Sequence, residues 1–161
     1  MTVANGQHTR SRLRRWAKWL VVGGVVAFAV IQIIPVDRTN PPVEEVMPAP
    51  AEVQAVLDRV CADCHSNNSV WPWYSRIAPI SWLVAHDVEE GRAELNFSTW
   101  NAYDAEERAE ALEHIWEETA EGEMPPPYYT LMHAQAALSD ADIGALRAWT
   151  GGSSEVESGE D

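Results

Sequence analysis

Two thiols and an imidazole lie within five consecutive residues: Cys61, Ala62, Asp63, Cys64 and His65. They form the C-x-x-C-H pattern by which c-type haem is attached. Two thiols on one helical turn match the separation of the two porphyrin vinyl groups, and the adjacent imidazole can then lie under the iron as its proximal ligand. The pattern therefore predicts one haem c, covalently attached through Cys61 and Cys64 and coordinated by His65.

Three different roles for the cysteine pair fit the sequence less well. A thioredoxin-like redox pair lies at a strand-to-helix junction in a βαβ unit, and the sequence shows no such unit. A zinc site needs a second pair of ligands at matched spacing, whereas His86, His114 and His133 are scattered singly. A structural disulfide would leave His65 without a role.

A second iron ligand is predicted at Met124, which follows Gly122 and Glu123 and precedes three prolines at 125–127. Small c-type cytochromes bring a methionine to the far face of the haem in a Gly-x-Met-Pro loop, and the prolines keep such a loop extended. The alternative is a methionine that only fills a gap in the core. His86 and His133 are the rival ligands.

The charge distribution divides the chain into parts with different surroundings. No acidic residue precedes Asp37, while five of the 11 bases do. Residues 17–34 form an 18-residue apolar run interrupted only by Lys18 and Gln32. As a helix this run would be about 27 Å long, which is enough to cross a hydrocarbon core. We predict a basic cytoplasmic N-terminus at 1–16 and a single transmembrane anchor at 17–34.

A cleaved signal peptide is the alternative for this segment, because Ala27, Phe28 and Ala29 have the small-x-small form of a cleavage site. The apolar run continues past that point to Ile34, which favours an uncleaved anchor. Either way the acidic remainder is exported. The sequence thus predicts a single-pass protein of the bacterial inner membrane with its folded domain in the periplasm.

The remaining segments follow from composition. Residues 35–50 hold four prolines after Pro35 and predict an extended linker, and residues 151–161 predict a disordered acidic tail. The haem-binding domain is then 51–150. A formal net charge of −14 argues against general binding to nucleic acid.

The haem-binding domain is predicted to be all-α. Apolar periodicity indicates helices over 52–64, over 82–95 with Ser81 as N-cap, over 105–119 with an Asp104/Glu107 capping box, and from Ser139 to Trp149. Residues 66–79 contain turn formers and prolines and are predicted to be a loop. Together with the haem motif, this pattern is typical of a small cytochrome-c-like helical domain around one haem, preceded by a transmembrane helix.

Several short motifs together resemble the haem-binding-domain family of bacterial c-type cytochromes. They are Asp63-Cys64-His65-Ser66-Asn67, Trp71-Pro72-Trp73-Tyr74-Ser75, Ala78-Pro79-Ile80-Ser81-Trp82, Gly91-Arg92, Leu95-Asn96-Phe97-Ser98-Thr99-Trp100, Met124-Pro125-Pro126-Pro127-Tyr128, and a late Leu138-Ser139 that leads to Trp149. The resemblance covers nearly the whole folded domain. It implies a small exported haem domain that is often anchored in a membrane, and it implies little about a substrate.

The aromatic motifs suggest further contacts with the cofactor. We expect Trp71, Trp73, Tyr74, Trp82 and Trp100 to wall the apolar faces of the porphyrin, although ordinary core packing would account for them as well. Arg76 and Arg92 are candidates for pairing with haem propionates; the alternative is that they are solvated surface side chains.

The predicted function is transfer of single electrons between periplasmic or membrane redox proteins, without an enzymatic reaction. Ligation by His65 and Met124 would fill both axial positions of the iron and leave none for a substrate. Two alternatives stay open. One is a haem sensor or peroxidase-like enzyme with an open sixth position, and the other is a haem-bearing accessory subunit of a membrane enzyme.

Overall fold

The computed structural model describes residues 5–151, with side chains from Arg12 onward. Over this range the chain forms seven α-helices and no strand: α1 Asn5–Ile31, α2 Ala51–Val60, α3 Ala62–His65, α4 Ile80–Glu94, α5 Ala105–Ala120, α6 Pro127–Met132 and α7 Asp140–Thr150. Three short 3₁₀ helices lie at Trp73–Arg76, Trp100–Ala102 and Ala134–Ala136. The predicted all-α class is confirmed.

The chain divides into two compact units. The first combines the residues up to Asp37 with Pro72–Ala85, and the second combines Arg38–Trp71 with the residues from His86 onward. The second unit holds a hydrophobic core built from α2, α5, α7 and the segments that precede α2 and α5. Its buried members are Met47, Val53, Val56, Leu57, Val60, Leu95, Phe97, Trp100, Ile115 and Leu146. This core holds in place the helices that carry the predicted site.

In the first unit, α1 exposes apolar side chains along its length. They are Leu13, Trp16, Trp19, Leu20, Val21, Val22, Val25, Val26, Phe28 and Val30. No helix in the described part of the chain is both long enough and apolar enough to cross a membrane. Helix α1 contains the predicted anchor segment as far as Ile31, three residues short of its predicted end at Ile34.

The segment predicted as a linker, 35–50, is built into the second unit from Arg38 onward. Met47 is 1% exposed within the core, and its N–H donates to the carbonyl of Phe97 at 2.8 Å. An isolated bridge joins Glu45 to Thr99. From Glu44 to Met47 the segment is therefore held to residues 97–100 by backbone hydrogen bonds, and it is not a free linker there.

Helix ends follow local chemistry closely. The capping boxes predicted at Asp104 with Glu107 and at Ser139 with Asp142 are both present, and Gly151 ends α7 in the left-handed region with φ 76°. Helix α4 begins at Ile80, so Ser81 is a buried residue inside the helix and not its N-cap. The predicted helix over 52–64 is divided, because α2 ends at Val60 and α3 begins at Ala62.

Candidate functional site

A cavity of about 1030 Å³ lies within the second unit. Its wall is formed by the end of α2, by α3, α4 and α5, and by the residues around the start of α6. The volume lies at the upper end of the range of about 300–1,000 Å³ for small-molecule and cofactor sites. Cys61, Cys64, His65 and Met124 all line it. Four residues predicted from the sequence to hold the cofactor are thus brought to one place.

The two cysteines lie on one helical turn at the junction of α2 and α3. The N–H groups of Cys64 and His65 both donate to the carbonyl of Cys61, at 3.1 and 3.0 Å. Both cysteines are free. Burial, and then the neighbouring Cys64, raise the pKa of Cys61 to about 12; burial, and then Asp87, raise the pKa of Cys64 to about 12. Both groups are therefore thiols at neutral pH.

The imidazole of His65 is held in one orientation. Its Nδ1 lies 3.0 Å from the carbonyl oxygen of Leu95, and a carbonyl oxygen accepts only, so Nδ1 carries the proton. The ring stacks on Phe97 with 5.9 Å between centroids. Burial lowers the pKa of His65. The result is a neutral imidazole whose Nε2 keeps its lone pair, the form that ligates a metal.

Gly91 allows helix α4 to pack directly on the cysteine motif. A Cβ at this position would lie 2.9 Å from the carbonyl oxygen of Cys64 and 3.1 Å from its Cβ. The first contact is with backbone, which cannot move aside as a flexible side chain could. The absence of a side chain at Gly91 therefore sets the distance between α4 and the motif. No functional role was predicted for Gly91, because only the three-dimensional contact gives it one.

Side chains around the motif fix its position further. Asp63 accepts from the N–H of Val70 at 2.9 Å and from the hydroxyl of Tyr129 at 2.8 Å, which joins α3 to α6. The guanidinium of Arg92 donates to the carbonyls of Ser66 and Thr39 and to the side chains of Asn40 and Ser69. Arg92 therefore holds the loop after the motif, and the structure gives it this structural role instead of the predicted propionate contact.

Met124 lies in the turn after α5, far from the cysteine motif in sequence. Gly122 follows the end of α5 with φ 77°, a conformation that glycine adopts without strain. The N–H of Met124 then donates to the carbonyl of Glu118 at 3.0 Å. This turn brings the half-buried Met124 back to the cavity.

His114 on α5 also lines the cavity, whereas the two rival histidines do not. His86 forms an exposed pair with Glu90 at 3.3 Å, and the ring of His133 packs against Tyr129 with 4.3 Å between centroids. His114 was not predicted as an iron ligand. Its helical phase could have found it, since His114 lies one turn before Glu118 on the cavity side of α5.

The cavity wall is acidic. Eight carboxylates line it, from α4 and α5: Asp87, Glu90, Glu94, Glu107, Glu110, Glu113, Glu117 and Glu118. No lysine or arginine from the described residues is part of the lining. Burial raises the pKa of Asp87, which accepts a hydrogen bond from Tyr128 at 3.2 Å. A positively charged centre bound here would be stabilised by these carboxylates.

The predicted aromatic wall is not among the cavity-lining residues. Within residues 5–151, none of Trp71, Trp73, Tyr74, Trp82 and Arg76 lines the cavity. Trp71 donates from Nε1 to Asn40 at 3.1 Å in the second unit, and the other four belong to the first unit. Phe97, Tyr103, Tyr128 and Tyr129 supply the aromatic lining instead.

The residues present fit a covalently attached porphyrin. Two thiols lie one turn apart, and a neutral imidazole next to them has its Nε2 available. Gly91 keeps side-chain atoms away from Cys64, and the cavity has the size of a cofactor site. Thiols, imidazole and thioether are also the donor types that proteins use to hold haem iron and its porphyrin.

Comparison with known proteins gives one match. A family model described as a haem-binding domain matches residues 26–151. The match covers more than half of the chain and includes every residue that lines the cavity. No curated protein and no solved structure matches the chain.

Proposed function

The chain belongs to the haem-binding domain family, and we propose that it holds one haem covalently through Cys61 and Cys64, with His65 as the proximal iron ligand. One observation carries the proposal. The hydrogen bond between His65 Nδ1 and the carbonyl of Leu95 fixes the tautomer and the ring orientation of this imidazole. It does so beside two free thiols in a cavity of cofactor size.

The position of the cysteines supports covalent attachment, because both free thiols lie on one helical turn and line the cavity. Each protonated thiol would add its sulfur and its hydrogen across one vinyl group, so two thioether bonds form and no oxidant is consumed. Asp63 and Gly91 hold the backbone of the motif while the side chains face the cavity.

We propose Met124 as the second iron ligand. It lines the same cavity as His65, and the turn at Gly122 with the Glu118 contact fixes its backbone. His114 is the second candidate, because it also lines the cavity. A thioether favours the ferrous state, so Met124 suits a carrier that works at a higher reduction potential than a bis-histidine protein.

The function that these residues suit is electron transfer. Bound haem supplies an iron that changes between ferric and ferrous states by one electron. His65 and Met124 would occupy both axial positions, which excludes small molecules from the iron. The acidic rim around the cavity suits approach by a basic redox protein. We propose that the partners are periplasmic or membrane redox proteins.

We also propose that the apolar run 17–34 inserts into the bacterial inner membrane and leaves the second unit in the periplasm. The exposed apolar side chains of α1 support this proposal. They lie on all sides of the helix, and their exposure to water would cost free energy that insertion into lipid removes. The absence of acids before Asp37 supports the orientation, because basic segments stay in the cytoplasm. Attachment of haem c takes place outside the cytoplasm, in agreement with an exported domain.

Carbon monoxide binding tests the second ligand. Reduced wild-type protein should resist carbon monoxide, whereas Met124→Ala should bind it and should have a lower reduction potential. The matched control is His86→Ala, which removes an imidazole that does not line the cavity and should behave as wild type. If His114→Ala opens the iron and Met124→Ala does not, ligation is bis-histidine. If the wild type already binds carbon monoxide, the sensor or peroxidase-like alternative replaces the carrier.

A further inference from the structure

The aromatic segment of the first unit presents an apolar surface that the haem proposal does not use. Large apolar side chains of 73–83 are exposed, with Trp73 at 71% and Ile77, Ile80, Trp82 and Leu83 between 38% and 45%. These five residues are called the 73–83 patch below. Several large apolar side chains exposed within one short segment are a candidate site of interaction.

The charge of this segment differs from that of the rest of the exported chain. Residues 66–85 contain no acid and one base, Arg76, in a protein with a formal net charge of −14. A basic protein partner would select the acidic surfaces instead. Tryptophan with a single arginine is the composition that proteins place at the level of lipid headgroups, where the indole is half apolar and the arginine reaches outward.

The patch is also tied to the apolar run of the first unit. The side-chain amide of Gln32 donates from Nε2 to the carbonyl of Ala78 at 3.1 Å and accepts from the N–H of Ala78 at 2.9 Å. Gln32 is the polar interruption of the run 17–34. Both the N–H donor and the oxygen acceptor of the Gln32 side chain are therefore hydrogen-bonded within the protein. This lowers the free-energy cost of placing the Gln32 amide at the boundary between lipid and water. It also fixes the patch beside the end of that run.

We propose that the 73–83 patch docks on the surface of the same lipid bilayer that takes up residues 17–34. This rests on the membrane insertion proposed above. Trp73 and Trp82 would lie at the headgroup level, Ile77, Ile80 and Leu83 would contact the acyl boundary, and Arg76 would meet lipid phosphates. The first unit is then a membrane-contacting unit formed by two distant segments of the chain.

Photolabelling from within the bilayer tests this surface. The full-length holoprotein is placed in phosphatidylcholine vesicles with a diazirine-bearing phosphatidylcholine, irradiated and digested with trypsin. Three peptides then report separately: 19–38 for the apolar run, 77–92 for the patch, and 109–147 for the second unit. We expect label in 19–38 and in 77–92, and little in 109–147.

A pair of charge variants sharpens the test. Leu83→Glu places a charge in the patch and should reduce the label in 77–92 severalfold while 19–38 keeps its label. Leu131→Glu is the matched control, since Leu131 is exposed on α6 of the second unit, and it should leave both labels unchanged. Unchanged haem content shows that both variants are folded.

Label in 19–38 without label in 77–92 overturns the docking surface and leaves the anchor in place. Absence of label from both peptides contradicts the anchor as well. Equal labelling of 77–92 and 109–147, or full labelling of 77–92 in Leu83→Glu, shows contact without a specific patch and also overturns the proposal.

Discussion

The two units of the chain place charge in opposite ways. The cavity of the second unit is lined by eight carboxylates and is built by hydrogen bonds that fix backbone and side chains, such as those of His65 and Arg92. The first unit contains no acid before Asp37 and none in 72–85, and it exposes apolar side chains. The carboxylates of the cavity belong to one unit, whereas the exposed tryptophans, Trp16, Trp19, Trp73 and Trp82, all belong to the other. This separation agrees with the two proposals above, in which the second unit holds haem and the first unit contacts lipid.

Of the changes considered for the two units, a side chain at Gly91 should have the largest effect, because it disturbs the haem site of the second unit. A Cβ 2.9 Å from the Cys64 carbonyl pushes α4 off the cysteine motif, and Gly91→Ala should cost about 1–3 kcal/mol of stability. We expect haem content per chain to fall sharply, measured by absorbance of purified protein.

Gly144→Ala on α7 is the control for this change. No atom lies within 4 Å of a Cβ at Gly144, so the variant should keep its haem and gain up to about 1 kcal/mol. Equal loss of haem in both variants would show that the contact with Cys64 does not matter.

Removing one carboxylate from the cavity wall should have a moderate effect. Glu118 lies near enough to His65 to raise its pKa, against the larger effect of burial. Glu118→Gln removes negative charge that favours ferric iron, so the reduction potential should rise by on the order of tens of millivolts. Glu106→Gln, outside the cavity lining on the same helix, should change it little. A potential that shifts equally in both variants would mean that the cavity carboxylates have no special effect on the iron.

Removing the hydrogen bonds between Gln32 and Ala78 should have the smallest effect on stability, and this effect should be confined to the first unit. Gln32→Leu leaves the N–H and carbonyl of Ala78 without their partner, at a cost of about 1 kcal/mol for each hydrogen bond. Hydrogen exchange at Ala78 should accelerate by about fivefold, which corresponds to about 1 kcal/mol. Gln54→Leu, which removes a hydrogen bond within α2, should leave exchange at Ala78 as in the wild type.

Features that depend on residues a few positions apart were predictable from the sequence, whereas contacts between residues far apart in the sequence were not. The C-x-x-C-H motif, the two capping boxes and the all-helical class depend on residues a few positions apart, and the structure contains them. Met124 was predicted as a second iron ligand from the local Gly-x-Met-Pro pattern, and in the structure it lines the cavity. The covalent bonds and the second ligand stay predictions.

The roles of the aromatic and basic residues depended on tertiary packing. Nothing in local spacing shows that Arg92 reaches back to Thr39 and Ser66, or that Trp73 belongs with α1. Helix α4 begins two residues before its predicted start, since Pro79 precedes its first turn, where proline is well tolerated. The segment predicted as a linker joined the core because Met47, an apolar side chain between prolines, is buried there.

Mass spectrometry of the tryptic peptide 60–76 from wild-type protein tests whether haem is covalently attached at the cysteine motif. This peptide contains Cys61, Cys64 and His65. After acid–acetone extraction it should still carry the mass of one haem, and Cys61→Ala should retain haem through one thioether only. A peptide of unmodified mass, with all haem in the extract, would contradict covalent attachment at this motif.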